Sequence, residues 1–267
     1  MSDEKSKATL LKEEIMMKGS KGAATLNAEE IKKADDFCVG YKKFLDHSPV
    51  EREAVSYTLE LAKKAGFTEY DENASYNAGD KVYYVNRDKA IALAVIGKNG
   101  VKNGARLAIA HIDSPRIDLK PNPLYEDTNL ALFKTHYYGG LKKYQWTALP
   151  LSLHGTVVKL DGTKVNITWG DDENESCFCV TDLLPHLAKD QVSKPLAKVF
   201  TGEDLNVLVG SRPYEDGNDE KDLVKLNVMS ILNKKYGIVE GDFLSAELCL
   251  IPSFKSRDIG FDARMIG

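Results

Sequence analysis

The sequence predicts an α/β fold, with an α/β sheet domain, incomplete within the chain, interrupted by a β-rich insertion. Three observations predict it. Helical periodicity dominates the stretch from Asn27 to Gly66. The nearly unbroken apolar run Arg106-Leu107-Ala108-Ile109-Ala110 reads as a central strand buried on both faces. From about residue 116 to residue 244, short strands, turns and aromatics take over, and an apolar strand returns at Ala246–Ile251.

Each element has its own signal. Residues 1–24 are polar and read as a loose arm with a short helix at Leu10–Lys18. Asn27 with Glu30 three residues later is a variant of the capping box, and Ile31, Ala34, Cys38, Tyr41 and Phe44 recur at helical spacing. A second helix is expected from Ser48 as cap, with Pro49 in the first helical position and Glu51 completing a capping box; it stops at Gly66. Lys81–Val85 and Lys89–Ile96 form a hairpin through Asn86-Arg87-Asp88. Beyond Arg116, Pro121 and Pro123 exclude helix. Leu149–Leu153, Gly155–Leu160 and Thr163–Trp169 read as successive antiparallel strands, the last two joined by a tight turn at Asp161-Gly162. A short helix at Asp182–Lys189, a strand at Val199–Val209, a Gly/Asp-rich loop at Glu215–Glu220 and a helix at Asp222–Tyr236 complete the insertion.

Composition narrows the function. Of 267 residues, 43% are hydrophobic and 28% charged, an ordinary globular balance. A net charge of -4 argues against a nucleic-acid partner, which would call for a basic excess. The charged start lacks the apolar core of a signal peptide, and apolar runs such as Ala90–Gly97 are too short to span a membrane, so the expected location is cytoplasmic. Cys177 and Cys179 would share one strand face, yet without a further Cys or His at zinc spacing they read as two part-buried thiols. Asp171–Glu175 lacks the glycine and terminal glutamate of a calcium loop and reads as a solvated turn.

The sharpest chemical feature is His111-Ile112-Asp113-Ser114-Pro115. On a strand, His111 and Asp113 point to the same side. A neutral imidazole binds zinc through one nitrogen while an acceptor fixes its other N–H, and a carboxylate two residues on can do so. Taken alone, the pair fits a hydrogen-bonded structural contact better than a metal ligand with its orienting acid; its place after a buried strand levels the two readings. His47 and His154 have no such partner pattern and read as structural.

Four segments occur in order: Ala110–Pro115, Lys134-Thr135-His136-Tyr137-Tyr138-Gly139-Gly140 leading to Trp146, Leu184-Pro185-His186-Leu187, and Glu247-Leu248-Cys249-Leu250. Together they resemble the aspartyl aminopeptidase and aminopeptidase I family, peptidase family M18, from about residue 27 onward. The resemblance implies a zinc-peptidase-like α/β domain, here residues 1–115 and 245–267, split by an inserted β-rich dimerisation domain, residues 116–244. It also implies two zinc ions, peptide substrates cleaved at the amino terminus, acidic residues among them, and homo-oligomers built from dimers to a dodecamer. His111 matches the family's histidine ligand and Asp113 the acid that orients it. His186 matches an inserted-domain histidine that approaches the active site from a neighbouring subunit and holds the substrate carbonyl or oxyanion. His136 matches nothing as definite.

The remaining family ligands and the general base would follow Gly267. One histidine does not hold catalytic zinc, which usually takes three protein ligands, so the chain is expected to be inactive by itself as an amino-terminal portion of the enzyme. Two other readings stand beside this one: a non-catalytic assembly or regulatory module built on the insertion, and a different two-metal hydrolase. The Lys134–Trp146 and Leu184–Leu187 segments fit the latter poorly.

Overall fold

The structure, a computed structural model, describes residues 5–17, 19, 22–216 and 221–267. It divides into two compact units, Met1–Lys43 and Phe44–Gly267. In the first, α1 (Lys7–Ile15) is capped by Ser6, whose hydroxyl accepts from the Thr9 N–H at 3.2 Å. It starts three residues before the expected Leu10, and the expected end at Lys18 falls outside the described residues. After α2 (Gly22–Thr25), α3 (Ala28–His47) begins with the expected capping box: Asn27 N–H donates to Glu30 Oε2 at 2.9 Å, and Glu30 N–H to Asn27 Oδ1 at 3.0 Å.

The second unit holds the site. Its helix α4 (Glu51–Lys64) starts later than predicted, with Val50 at the cap position and no side-chain cap. Ser48 is no cap; its hydroxyl is buried without a hydrogen-bond partner. Instead, the first-turn side chains of Glu51, Arg52 and Glu53 form ion pairs with Arg116, Glu247 and His154. The helix ends as expected at Gly66, whose φ of +84° lets the Phe67 N–H reach back to the Ala62 carbonyl at 3.0 Å. α4 packs on a small sheet of β1 (Thr68–Glu69), β2 (Lys81–Asn86) and β3 (Ala90–Val95). The β2–β3 hairpin closes through the three residues Arg87, Asp88 and Lys89 between paired Asn86 and Ala90, with Arg87 and Asp88 both at positive φ.

The main sheet has seven antiparallel strands. In chain order they are β4 (Arg116–Asp127), β5 (Leu130–Tyr138), β6 (Leu151–Val158), β7 (Lys164–Trp169), β8 (Cys179–Val180), β9 (Val207–Gly210) and β10 (Ala246–Pro252). Across the sheet the order is β7-β6-β10-β4-β5-β9-β8. β10 thus pairs with both β6 and β4, so strands on either side of residue 245 share one sheet. Pro121 and Pro123 fall where the β4–β5 register slips between Leu119 and Leu124, a place where a missing N–H is tolerated. A small hairpin, β11 (Asp258–Ile259) with β12 (Met265–Ile266), follows.

The two faces of this sheet differ in kind. Leu151, Leu153 and Val157 of β6, Leu248 and Leu250 of β10, and Ile117 of β4 are buried in one apolar cluster with Phe133, Val224 and Leu232. The last two lie on α6 (Leu223–Tyr236), which packs over β4, β5 and β9. The alternate residues, Ser152 and His154, Glu247 and Cys249, Arg116 and Asp118, point to the other face, where the start of α4 lies.

Several sequence expectations are corrected. The two strands expected at Leu149–Leu153 and Gly155–Leu160 are one, β6. Gly155 sits within it because a Cβ there would collide with the carbonyl oxygen of Glu247 on β10; the glycine marks close strand approach rather than a break. At Asp182–Lys189 the chain makes a turn at Pro185–Leu187, with the short α5 (Lys189–Val192) after it. The strand expected at Val199–Val209 is confined to β9. Residues 217–220 of the Glu215–Glu220 loop lie outside the described residues.

The largest correction is Arg106–Ala110. It is not a buried central strand but an unpaired segment, with Leu107 80% and Ile109 88% exposed. A strand needs neighbours for its N–H and C=O groups, and among the described residues none flanks this run.

Candidate metal centre

His111 and Asp113 lie on the irregular segment that leads into β4. The His111 ring is held at Nδ1, 3.0 Å from both the Asp113 backbone oxygen and its Oδ1. A carbonyl oxygen only accepts, so Nδ1 carries the proton, and in the neutral ring Nε2 keeps its lone pair. The side chain is 83% exposed. A donor nitrogen that faces solvent, with its partner nitrogen anchored to a carboxylate, is the arrangement of a metal-binding histidine.

Asp113 is anchored in turn. Tyr138, the last residue of β5, donates its hydroxyl proton to Asp113 Oδ2 at 2.8 Å. That bond is the main cause that holds the Asp113 carboxyl below its usual range, with the backbone and His111 hydrogen bonds adding to it against partial desolvation. The same bond raises the Tyr138 phenol. Tyr138 pairs across the ladder with Arg116, whose guanidinium carbon lies 4.1 Å from the phenol centroid. Arg116 is buried and bonds Glu51 Oε1 and Asp118 Oδ1, each at 2.7 Å. Burial opposes its charge, but the two carboxylates outweigh that and keep it firmly protonated. Neither Tyr138 nor Arg116 is distinguishable as a site residue in the sequence. The only signal was that Tyr138 belongs to the aromatic segment before Gly139, and its pairing with Arg116 emerges only from the β4–β5 register.

The other candidates sit apart from this pair. His186 is exposed in the turn Pro185–Leu187 and makes no side-chain hydrogen bond or ion pair among the described residues. His136 is exposed opposite Asp118 in the β4–β5 ladder, its ring 5.4 Å from that of Tyr137. His47 stacks on Tyr57 at 4.8 Å. Among the described residues no group of three or more His, Cys, Asp or Glu side chains is placed to hold a metal ion.

His154 has more partners than its sequence context suggests. It is buried, with Nδ1 2.9 Å from Glu53 Oε1 and Nε2 3.1 Å from Asp171 Oδ1 and 3.0 Å from Ser152 Oγ. Burial works against a charged ring, but the two carboxylates outweigh it and lift the imidazole to about 9. Asp171, read from sequence as part of a solvated turn, is a partner in this network. The Ser152–His154–Glu53 order imitates a hydrolytic triad, yet Ser152 is 0% exposed and a protonated ring accepts no proton. It is a structural network.

Residues 44–267 match the family described as aminopeptidase I zinc metalloprotease, M18. The "Probable M18 family aminopeptidase 1" of Clostridium acetobutylicum is 50% identical over 230 residues, which are 85% of this chain and 49% of that one. The chain belongs to peptidase family M18. Its fold matches the crystal structure of an M18 aminopeptidase from Thermotoga maritima with a TM-score of 0.87 at 41% identity, covering 94% of this chain and 54% of that one. Aminopeptidase I from Borrelia burgdorferi follows at 0.80 and 40%, covering 91% and 55%. This M18 chain therefore spans about half the length of the relatives it matches, and the mixed α/β architecture is theirs.

Proposed function

We propose that this chain carries one corner of the zinc centre of a metallo-aminopeptidase that removes amino-terminal residues from peptides. The observation that carries the reading is the His111 ring, anchored at Nδ1 to Asp113 with Nε2 free and exposed, in a chain of the M18 family. His111 Nε2 would hold one of two zinc ions, and Asp113 would keep the ring in that tautomer. Zinc, when bound, supplies a hydroxide nucleophile near neutral pH. His186, exposed between Leu184 and Leu187, would serve the substrate carbonyl in a second copy of the chain. Residues 116–244 would form the pairing domain of a homo-oligomer, and exposed Leu183, Leu184, Leu187, Val192 and Leu196 support that reading. Acidic amino-terminal residues are the preferred substrates on the same resemblance.

With no group of three or more possible ligands among the described residues, the chain alone is read as inactive. In an assay of aspartyl and leucyl 4-nitroanilides with added zinc chloride, the chain alone is expected to give no turnover. Co-expression with the carboxyl-terminal half of the Clostridium acetobutylicum relative is expected to restore turnover that a chelator removes and that His111→Ala abolishes. Turnover by the isolated chain, or full activity with His111→Ala, overturns the assignment.

A further inference from the structure

The His111–Asp113 pair sits on a segment with no ladder to hold it, since residues 105–115 belong to no strand. Its backbone cannot fix where the Asp113 carboxylate points. Yet the two oxygens are committed to different partners: Oδ1 to the His111 ring at 3.0 Å and Oδ2 to the Tyr138 hydroxyl at 2.8 Å. A carboxylate tied at both oxygens cannot swing away from the imidazole without breaking a bond.

Tyr138 itself is half in solvent, and an exposed tyrosine–carboxylate bond alone contributes little. What makes this one directional is the other side of the ring. The Arg116 guanidinium lies 4.1 Å from the ring centroid, and Arg116 cannot move, because it is buried between Glu51 on α4 and Asp118 on its own strand. Arg116 opens β4 and Tyr138 closes β5, directly opposite each other. The sheet therefore holds the phenol in place and aims its hydroxyl at a segment that lies outside the sheet.

We propose that Tyr138 is a positioning residue for the metal-binding histidine: braced on the Arg116–Glu51–Asp118 ion network, it locks the Asp113 carboxylate so that His111 keeps its proton on Nδ1 and presents Nε2. The inference rests on the reading of His111 as a ligand.

The test uses the whole chain labelled with 15N-histidine, which reports five imidazoles. In the wild type, His111 is expected as the Nδ1–H tautomer. Tyr138→Phe keeps the ring over Arg116 and removes only the hydroxyl; the Nε2–H share of His111 should rise while the His154 and His47 signals stay put and show the fold intact. Titration with zinc chloride alone gives the second readout. Loss of an outer partner costs roughly 10- to 100-fold in an assembled site, and for one ligand a part of that, about threefold weaker half-saturation at His111, is expected. Arg116→Lys, which keeps the charge but loses the planar stack, should move His111 in the same direction by less. A wild-type His111 that carries its proton on Nε2 overturns the anchored-ring geometry on which the ligand reading beneath the proposal stands. A His111 with the same tautomer and the same zinc response in wild type and Tyr138→Phe overturns the role of Tyr138 alone.

Discussion

At the scale of single residues, the face of the sheet under α4 is governed by charge where an apolar contact would have been simpler. His154, 1% exposed, holds Glu53 and Asp171 together only while its ring is protonated. Its folded pKa, about 9, lies above the ordinary value near 6.5. Its contribution is therefore fully present below about pH 6.5 and lost as pH rises through about 9. The size is on the order of 3 kcal/mol. Urea midpoints of the wild type are expected to fall between pH 7 and pH 10 by more than those of His154→Gln, which starts lower and changes less across that window. Equal slopes for the two proteins would remove His154 from the account. The neighbouring Ser152 is expected to be inert to serine-directed phosphonates, because nothing can reach it; labelling at Ser152 in the folded chain would contradict the burial.

At the scale of elements, the start of α4 acts as a clasp. Glu51, Arg52 and Glu53 are consecutive, and each reaches a different strand of the main sheet: Arg116 on β4, Glu247 on β10 and His154 on β6. These three strands are neighbours in the order β6-β10-β4. Lys89 joins the same Glu247, so the small hairpin is tied in as well. The two acids also suit the helix amino terminus, where its dipole is positive. Close packing of β6 on β10 is the other requirement. Gly155→Ala would set a methyl group against the Glu247 carbonyl oxygen at a φ of +141°. A loss of several kcal/mol is expected from the clash, roughly 3 or more, read as a lowered urea midpoint or an insoluble product. An alanine variant as stable as the wild type would show that β10 does not pass where the structure places it.

At the scale of the whole molecule, Leu107 and Ile109 stand out as exposed apolar side chains next to the candidate site. Apolar side chains more than three-quarters exposed in a segment that pairs with no strand invite association. On the function proposed above, the carboxyl-terminal half of an M18 relative would cover them. Leu107→Lys with Ile109→Lys is expected to reduce binding of a hydrophobic dye by the isolated chain and, at the same time, to abolish rescue by the relative's carboxyl-terminal half. Rescue that survives the double substitution would place the contact elsewhere. No helix of the described residues is long and apolar enough to cross a membrane.

Periodicity and turn chemistry made much of this fold legible in the sequence: the Asn27–Glu30 cap, the stop at Gly66, the Arg87–Asp88 turn, the helix ending at Tyr236 and the buried strand at Ala246–Ile251. All are decided within a few residues of themselves, by φ preference, capping hydrogen bonds or the spacing of apolar side chains. The contact between His111 and Asp113 was legible as well, though not through strand alternation: the segment is no strand, and the two side chains meet across two residues of irregular chain. Register across long separations is not written locally. That β10 lies between β6 and β4, that Gly155 yields to Glu247, that a solvated-looking Asp171 meets a buried His154, and that Tyr138 reaches Asp113 across 25 residues were decided by strand pairing. The apolar run at Arg106–Ala110 shows the converse: its composition asks for burial, and only neighbouring strands can provide it.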